Sequence, residues 1–354
     1  MLKEPFILLR LGAVCFFMLL CSLKILATSN SYFIHSLLND GVFIAFYWAF
    51  FLLTLISIFN INVFLNPKVV LLVVLFAIAF IINKSNYIPF AVFVFWLLVG
   101  AALCDGHTIS IFRAWYLLTV ITILIMVMFY GQTYYYDGRY GNVPSYGFVN
   151  SNAFPQILVL LFLSFFDKKR VLILFTFCIV LFYFYGVRTR SLYLLVILFW
   201  IFYAFLPIRK ALKLLPYLLS LGSVMLVYVH MHYDISALNF VLSNRLAFAS
   251  EYITHLDSIK DVLFGIGDIN ITNPLDSSFL YIYVHYGLVV LLAFSYIYYK
   301  IICHCIENSH RALLVLVSSF LIYNLFENTI INIFLNPTLF IISKSIYANR
   351  SMKQ

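Results

Sequence analysis

The stretch VLILFTFCIVLFYFYGVRTRSLYLLVILFWIFYAFL (171–206) decides the fold. It holds two apolar runs, 171–187 and 190–206, joined by a turn that contains Arg188 and Arg190. Each run is far longer than a buried strand and shows no polar face, so each predicts a helix buried on all sides. A bilayer core about 30 Å thick needs about 20 such residues per helix. The connection is too short to be a flexible loop, so the pair predicts a membrane hairpin with both guanidinium groups held at one interface.

The same pattern runs outward in both directions. Apolar runs bounded by charge, Asn, Gly and Pro fall near 6–26, 41–59, 68–83, 87–104, 112–130, 153–166, 171–187, 190–206, 214–230, 277–299, 311–328 and 331–347. The last two could form one broken helix. The first run resembles a signal peptide, but eleven further runs favour an uncleaved span. Of 354 residues, 64% are hydrophobic and 10% charged, with a mean hydropathy of +1.03. Soluble domains are about 45–50% apolar and about 25% charged, so a soluble fold and disorder are both excluded. The expectation is a single all-α integral membrane domain over 1–354, a polytopic helical bundle of about twelve spans (10–12).

The net charge of +9 needs a side as well as a sign. If the N-terminus is cytoplasmic and every run crosses, 15 basic and 4 acidic residues fall inside, a net of +11. Seven basic and nine acidic residues fall outside, a net of −2. This positive-inside bias predicts that both termini are cytoplasmic. No basic run exceeds Lys168-Lys169-Arg170 and no nucleic-acid motif appears, so nucleic acid is not an expected partner. The six cysteines lie in or beside apolar runs, which argues against a disulfide framework. Cys303-His304-Cys305 with His310 fits no standard zinc spacing.

Two outer loops follow from this topology, 131–152 and 231–276, and loops this long are commonly functional. The near-identical heptapeptides INVFLNP (61–67) and INIFLNP (331–337) reflect shared composition, since a duplicated unit would show more.

Polar groups in a bilayer are costly, by roughly 2.5–3.5 kcal/mol for a charge at a helix centre, and are the first candidates for function. Arg188 and Arg190 could clamp a phosphate-bearing head group, or could be snorkelling anchors. Their outer position runs against the anchor reading. Asn324, Glu327, Asn328 and Asn332, at spacings of three and four, predict a polar stripe on the penultimate span. Glu327 there could orient a sugar or pair with an outer arginine, or the stripe could be a hydrogen-bonded helix seam. Ser278, Tyr281 and His285 share a face of the tenth span, where His285 could line a cavity, act as a base or be a satisfied structural histidine. His230-Met231-His232-Tyr233-Asp234 could present metal ligands only if extended; a helix would make them diverge. No Gly-Lys-Ser/Thr phosphate loop, HExxH, GxSxG or Asp-x-Asp pair occurs, so an ATP-driven pump, zinc protease, lipase or metal-dependent nucleotide-sugar transferase has no support.

Four passages, in order, resemble bacterial O-antigen and capsule polymerases (Wzy-like), which are related to the O-antigen ligases. GFVNSNAFPQILVLLFL (147–163) is similar to the Gly…Asn-x-Asn opening of a middle span. RTRSLYLLVILF (188–199) is similar to the basic hairpin that follows. LFGIGDINITNPLDSSFLYIYVHYGLVVLLAF (263–294) resembles the Gly-hydrophobic-Gly … Asp-Asn-Ser-Tyr-Leu … Tyr-Gly passage after the long outer loop. LIYNLFENTIINIFL (321–335) resembles the acidic penultimate span. Ser277 departs from the family's usual Asn, and no outer arginine has a Gly eleven residues on. Asp276 stands where the ligases place His, which favours polymerase over ligase.

The resemblance implies a multi-pass protein of the bacterial plasma (inner) membrane. Its substrates would be polyprenyl-diphosphate-linked oligosaccharide repeats, with a flippase and a chain-length regulator as companions in the same pathway. A sugar hydroxyl of one repeat would attack the anomeric carbon of another. Diphosphate is already a good leaving group, so no metal or other cofactor is expected. Arg188 and Arg190 would hold the leaving diphosphate, with Arg139 and Arg245 as partners from the two loops. Asp276 would be the base and Glu327 the reserve. Tyr146, Asn150 and Asn152 would contact sugar or shape the pocket, His285 and Tyr281 would line it, and Tyr134, Tyr135 and Tyr136 suit stacking on sugar rings. The alternatives are an outer-face ligase, or a flippase or exporter of the same lipid-linked sugar.

Overall fold

The computed structural model describes residues 106–137, 141–148, 150–187, 189–205, 210–242, 244–267, 271, 273–330, 336 and 338. The predicted runs 6–26, 41–59, 68–83 and 87–104 and the heptapeptide 61–67 lie outside these residues, and of the run 331–347 only 336 and 338 lie inside them. The other seven runs are each a helix. Three are long and apolar enough to cross a membrane: Arg113–Tyr130, Ala211–His232 and Ser278–Glu307. The chain is therefore mostly helical, with the composition of a membrane protein. The described residues divide into two compact units, 106–197 and 198–338.

In the first unit, α1 (Gly106–Tyr130) is followed by a hairpin of β1 (Tyr134–Asp137) and β2 (Gly141–Pro144). Then come α2 (Ala153–Ser164), α3 (Lys169–Phe184) and the start of α4 (Arg190–Phe205). The sequence predicts the aromatic loop but not its strands, which pair antiparallel with Tyr134 opposite Pro144 and Asp137 opposite Gly141. α2 has 12 residues, about 18 Å, and is buried along nearly its whole length. That burial explains its unbroken apolar sequence: it faces protein on all sides. Its C-terminal end is held by Arg113, whose Nε donates to the Ser164 carbonyl at 2.8 Å and whose Nη2 pairs with Asp167. The last carbonyls of a helix lack intrahelical partners, so a guanidinium there is favourable twice over.

In the second unit, a short 3₁₀ turn (Lys210–Leu214) leads into α5 (Leu215–His232). Loop 231–276 carries α6 (Ser236–Val241), α7 (Arg245–Ile253) and α8 (Ile259–Phe264). α9 (Ser278–Glu307) and α10 (Arg311–Tyr323) follow. α9 is the central element, with 19 of its 30 residues buried, and α5 packs along it. Two hydroxyl pairs link them, Ser220 with Ser295 at 2.7 Å and Tyr228 with Tyr283 at 3.1 Å. In an apolar setting each hydroxyl needs such a partner. At the other end of the unit, Lys213 pairs with Glu307 at 3.4 Å, and Arg311 donates to the Tyr203 and Ala204 carbonyls at the end of α4.

The penultimate span is shorter than the predicted 311–328, and the polar stripe is not helical. α10 stops at Tyr323 and residues 324–330 turn back on themselves. Asn324 is the cause. Its Nδ2 donates to the Phe320 carbonyl at 2.7 Å, and its Oδ1 accepts from Ser278 Oγ at 2.6 Å, Thr329 Oγ1 at 2.8 Å and Thr329 N at 3.2 Å. These bonds replace the next helical turn. Asn332 lies outside the described residues.

Candidate functional site

Asp276, Arg245 and Glu327 meet in the second unit although the sequence separates them widely. Arg245 Nε lies 3.1 Å from Asp276 Oδ2, and its Nη2 lies 3.6 Å from Glu327 Oε1. The two carboxylates differ in exposure. The Asp276 side chain is 31% exposed and that of Glu327 only 4%. A carboxylate buried that deeply is tolerable only when paired, so Glu327 anchors Arg245, while Asp276 stays partly exposed.

Each member is positioned by local chemistry. Arg245 is the first residue of α7. The residue before it, Asn244, adopts φ 62°, a left-handed conformation that Asn tolerates better than most residues. The first turn of α7 is capped from a distance by Asn239, whose Oδ1 accepts from the Leu246 and Ala247 amides, both at 3.2 Å. Asp276 immediately precedes Ser277, the N-cap of α9. The end of a long helix where amides are unpaired favours anionic groups. Ser278, the first residue of α9, gathers the Glu327 segment: its Oγ donates toward the Asn324 side chain and the Glu327 carbonyl (3.0 Å) and accepts from the Thr329 and Ile330 amides (2.8 and 3.1 Å).

The loop is seated on α9 through two glycines. α9 is broken at Gly287, which has φ 83°. A Cβ there would run into the Leu263 carbonyl, and a Cβ on Gly265 (φ 76°) would run into the His285 backbone. Both positions therefore require glycine for space as well as for conformation. The Ile266 amide donates to the Val284 carbonyl at 2.9 Å, closing the seam. His285 is buried and its Nδ1 contacts the Gly267 carbonyl, so the ring carries its proton on Nδ1. Its ring lies 4.3 Å from that of Tyr281, as their shared helix face predicts.

Beneath the ion pairs is a cavity of about 220 Å³. Eight leucines and Phe326 dominate its lining, with Arg245, Asp276 and Ser277 at the charged side and Gly222 and Ser223 on α5.

Among the first-unit candidates, Asn150 and Asn152 shape the chain around α2. The Asn152 amide donates to Asn150 Oδ1 at 2.8 Å, an Asx turn, and Asn152 Oδ1 accepts from Thr189 Oγ1 at 3.2 Å. Tyr146 is buried, stacked on Phe154 at 4.3 Å, and that burial pushes its phenol up to about 12. Arg190 opens α4 at an exposed position. Tyr134 and Tyr136 are 63% and 72% exposed. Arg139 and Arg188 lie outside the described residues.

Sequence reasoning missed Tyr252, Asn239 and Ser278's full role. Tyr252 donates to the Asn273 carbonyl at 2.6 Å, and its phenol is raised by burial, then by the charges of Glu251 and Asp276. Asn239 and Asn244 could have been found as capping residues ahead of a helix. His230 and His232 are both helical, and among the described residues no group of three or more His, Cys, Asp or Glu converges as a metal would require.

Fold and composition thus define the class, a mostly helical membrane protein. No protein-family model matches the chain, and neither a curated protein nor a solved structure matches it significantly.

Proposed function

We propose that the protein is a metal-independent glycosyltransferase, a polysaccharide polymerase that extends polyprenyl-diphosphate-linked oligosaccharide on the outer face of the bacterial inner membrane. The observation that carries this reading is the Arg245–Asp276–Glu327 cluster set over an apolar cavity. Such a site suits a substrate with a charged head and a hydrocarbon body. The topology in this reading is about twelve spans with both termini cytoplasmic. In its support, all five ion pairs among the described residues join groups that the charge count assigns to one side. Arg113–Asp167, Lys168–Asp167 and Lys213–Glu307 are inner; Arg245–Asp276 and Arg245–Glu327 are outer.

In the proposed reaction, a diphosphate oxygen takes the place of Asp276 on the Arg245 guanidinium. Asp276 then accepts the proton of the attacking sugar hydroxyl. The new C–O bond forms at the anomeric carbon as the bond to diphosphate breaks, and the electron pair leaves with the diphosphate. One guanidinium between two carboxylates cannot neutralise a diphosphate alone, so Arg139, Arg188 and Arg190 remain the proposed further cations. Reconstitution with purified lipid-linked repeats tests the reading. Longer glycans are expected; repeats that cross the bilayer unextended would replace it with transport, and transfer to a lipid A acceptor would replace it with ligation.

A further inference from the structure

At the opposite end of α9 from Asp276, where α5 begins, a band of tyrosine and lysine lies across the two helices. The ring of Tyr217 on α5 lies 6.0 Å from that of Tyr299 on α9, and Tyr299 is stacked on Tyr296 at 6.2 Å. The Lys300 ammonium lies over both α9 rings, 5.3 Å from the centre of Tyr296 and 5.7 Å from that of Tyr299. Lys300 is exposed, and none of the ion pairs among the described residues includes it. Ring faces attract an ammonium without neutralising it. A snorkelling lysine would carry its charge past the end of the helix to water. This one is folded back over Tyr296, a turn nearer the middle of α9.

The second cation is Lys213, one turn ahead of Tyr217. Both Lys213 and Lys300 are close enough to the Tyr299 hydroxyl to interact with it. The carboxylate of Glu307, which pairs with Lys213, is 66% exposed, and so wet a pair is weak and open to exchange. From the band, exposed apolar side chains run toward the middle of both helices: Leu214, Leu218 and Leu221 on α5, at spacings of three and four, and Leu292 on α9, four residues before Tyr296. Two ammonium groups against one wet carboxylate leave a net positive charge at the head of an apolar face.

We propose that this face binds an anionic phospholipid. Its phosphate sits between Lys213 and Lys300, with the Tyr217 and Tyr299 hydroxyls as donors at the rim, and its acyl chains lie against Leu214, Leu218 and Leu292. A lipid with one net negative charge balances the site, whereas phosphatidylcholine brings a cation of its own. The bound lipid bridges the start of α5 and the end of α9. The site is separate from the Arg245 cluster and does not depend on the polymerase reading; the proposed topology puts it in the cytoplasmic leaflet, where basic pockets between helices bind such head groups.

The test uses the full-length protein in neutral detergent, stripped of lipid, and phosphatidylglycerol with a diazirine in its head group. Photolabelling is expected on peptides containing 210–217 and 296–307. Unlabelled phosphatidylglycerol should displace the probe, and phosphatidylcholine should need about tenfold more or beyond. Lys213→Gln with Lys300→Gln should lower labelling of those peptides about tenfold or more, while the paired Arg substitutions should retain it. Lys260→Gln removes an exposed cation on α8 and should leave labelling unchanged. Labelling confined to other peptides, equal displacement by phosphatidylcholine, or labelling that survives the paired Gln substitutions would overturn the proposal. Equal displacement by glycerol phosphate would replace the lipid with a soluble anion, and equal displacement by a polyglutamate peptide would replace it with an acidic protein segment. If the Gln variant fails to fold, the labelled peptides and displacement curves of the unsubstituted protein decide.

Discussion

Loop 131–152 is a two-stranded hairpin closed at its base by hydroxyls. Ser145 N donates to the Thr133 carbonyl at 2.9 Å, the two side-chain hydroxyls lie 2.8 Å apart, and exposed tyrosines line β1. Loop 231–276 is three short helices, closed by a guanidinium between two carboxylates and by a glycine seam on α9. The first loop spends its polar groups on neutral bonds and shows rings outward. The second concentrates charge beside an apolar cavity. Under the proposed function the contrast becomes a division of labour, with rings for a neutral glycan and charge for the reacting centre.

The largest test of that division is Asp276→Asn. A lost general base is expected to slow chain growth by about 10²–10⁴-fold. The side chain is a third exposed, so stability should change by less than about 1 kcal/mol. Equal loss of growth and of melting temperature would make Asp276 structural. Next is Arg245→Ala, which strands a buried carboxylate. We expect destabilisation of about 2–4 kcal/mol, somewhat below the usual cost because the arginine is partly exposed. Adding Glu327→Gln should restore much of the stability in a denaturation series, but not chain growth. Gly287→Ala should cost about 1–3 kcal/mol for the positive φ alone, and more for the overlap with Leu263.

Smaller effects belong to the hairpin. Tyr134→Ala with Tyr136→Ala should raise KM for the glycan about two- to tenfold and change stability by no more than about 0.5 kcal/mol. A wild-type KM would leave the hairpin without its assigned part. Tyr146→Phe supplies the smallest and most specific test. An unfolded phenol ionises near pH 10, whereas the buried one holds its proton to about 12. The unfolded state therefore loses protons first, and stability falls as pH rises from about 10 towards 12. The phenylalanine variant should show a shallower loss in that window, read by thermal melting across an alkaline pH series.

The helices were legible wherever apolar runs were long, because burial on all sides leaves a continuous signal. Asp276, Arg245 and Glu327 were each legible as polar groups in costly places. Their meeting was not, because contact between α7, the residue ahead of α9's cap and the turn after α10 has no periodicity. The stripe at 324–328 misled for a definite reason: three-and-four spacing also arises in a turn wound around one hydroxyl, here Ser278. The strands of 134–144 were hidden because tyrosine-rich polar sequence reads equally well as loop, and pairing depends on a register set by Thr133 and Ser145.

The break at Gly287 has a consequence for biosynthesis. Gly265 and Ile266 emerge from the ribosome before the surface on which they seat, since that surface is the Val284–Gly287 backbone. Loop 231–276 must therefore wait, unsealed, until the first part of α9 has been made. Its arginine waits longer still, for Glu327 beyond α10. Assembly of the charged cluster is therefore complete only once α9 and α10 have been made, because Glu327 follows both.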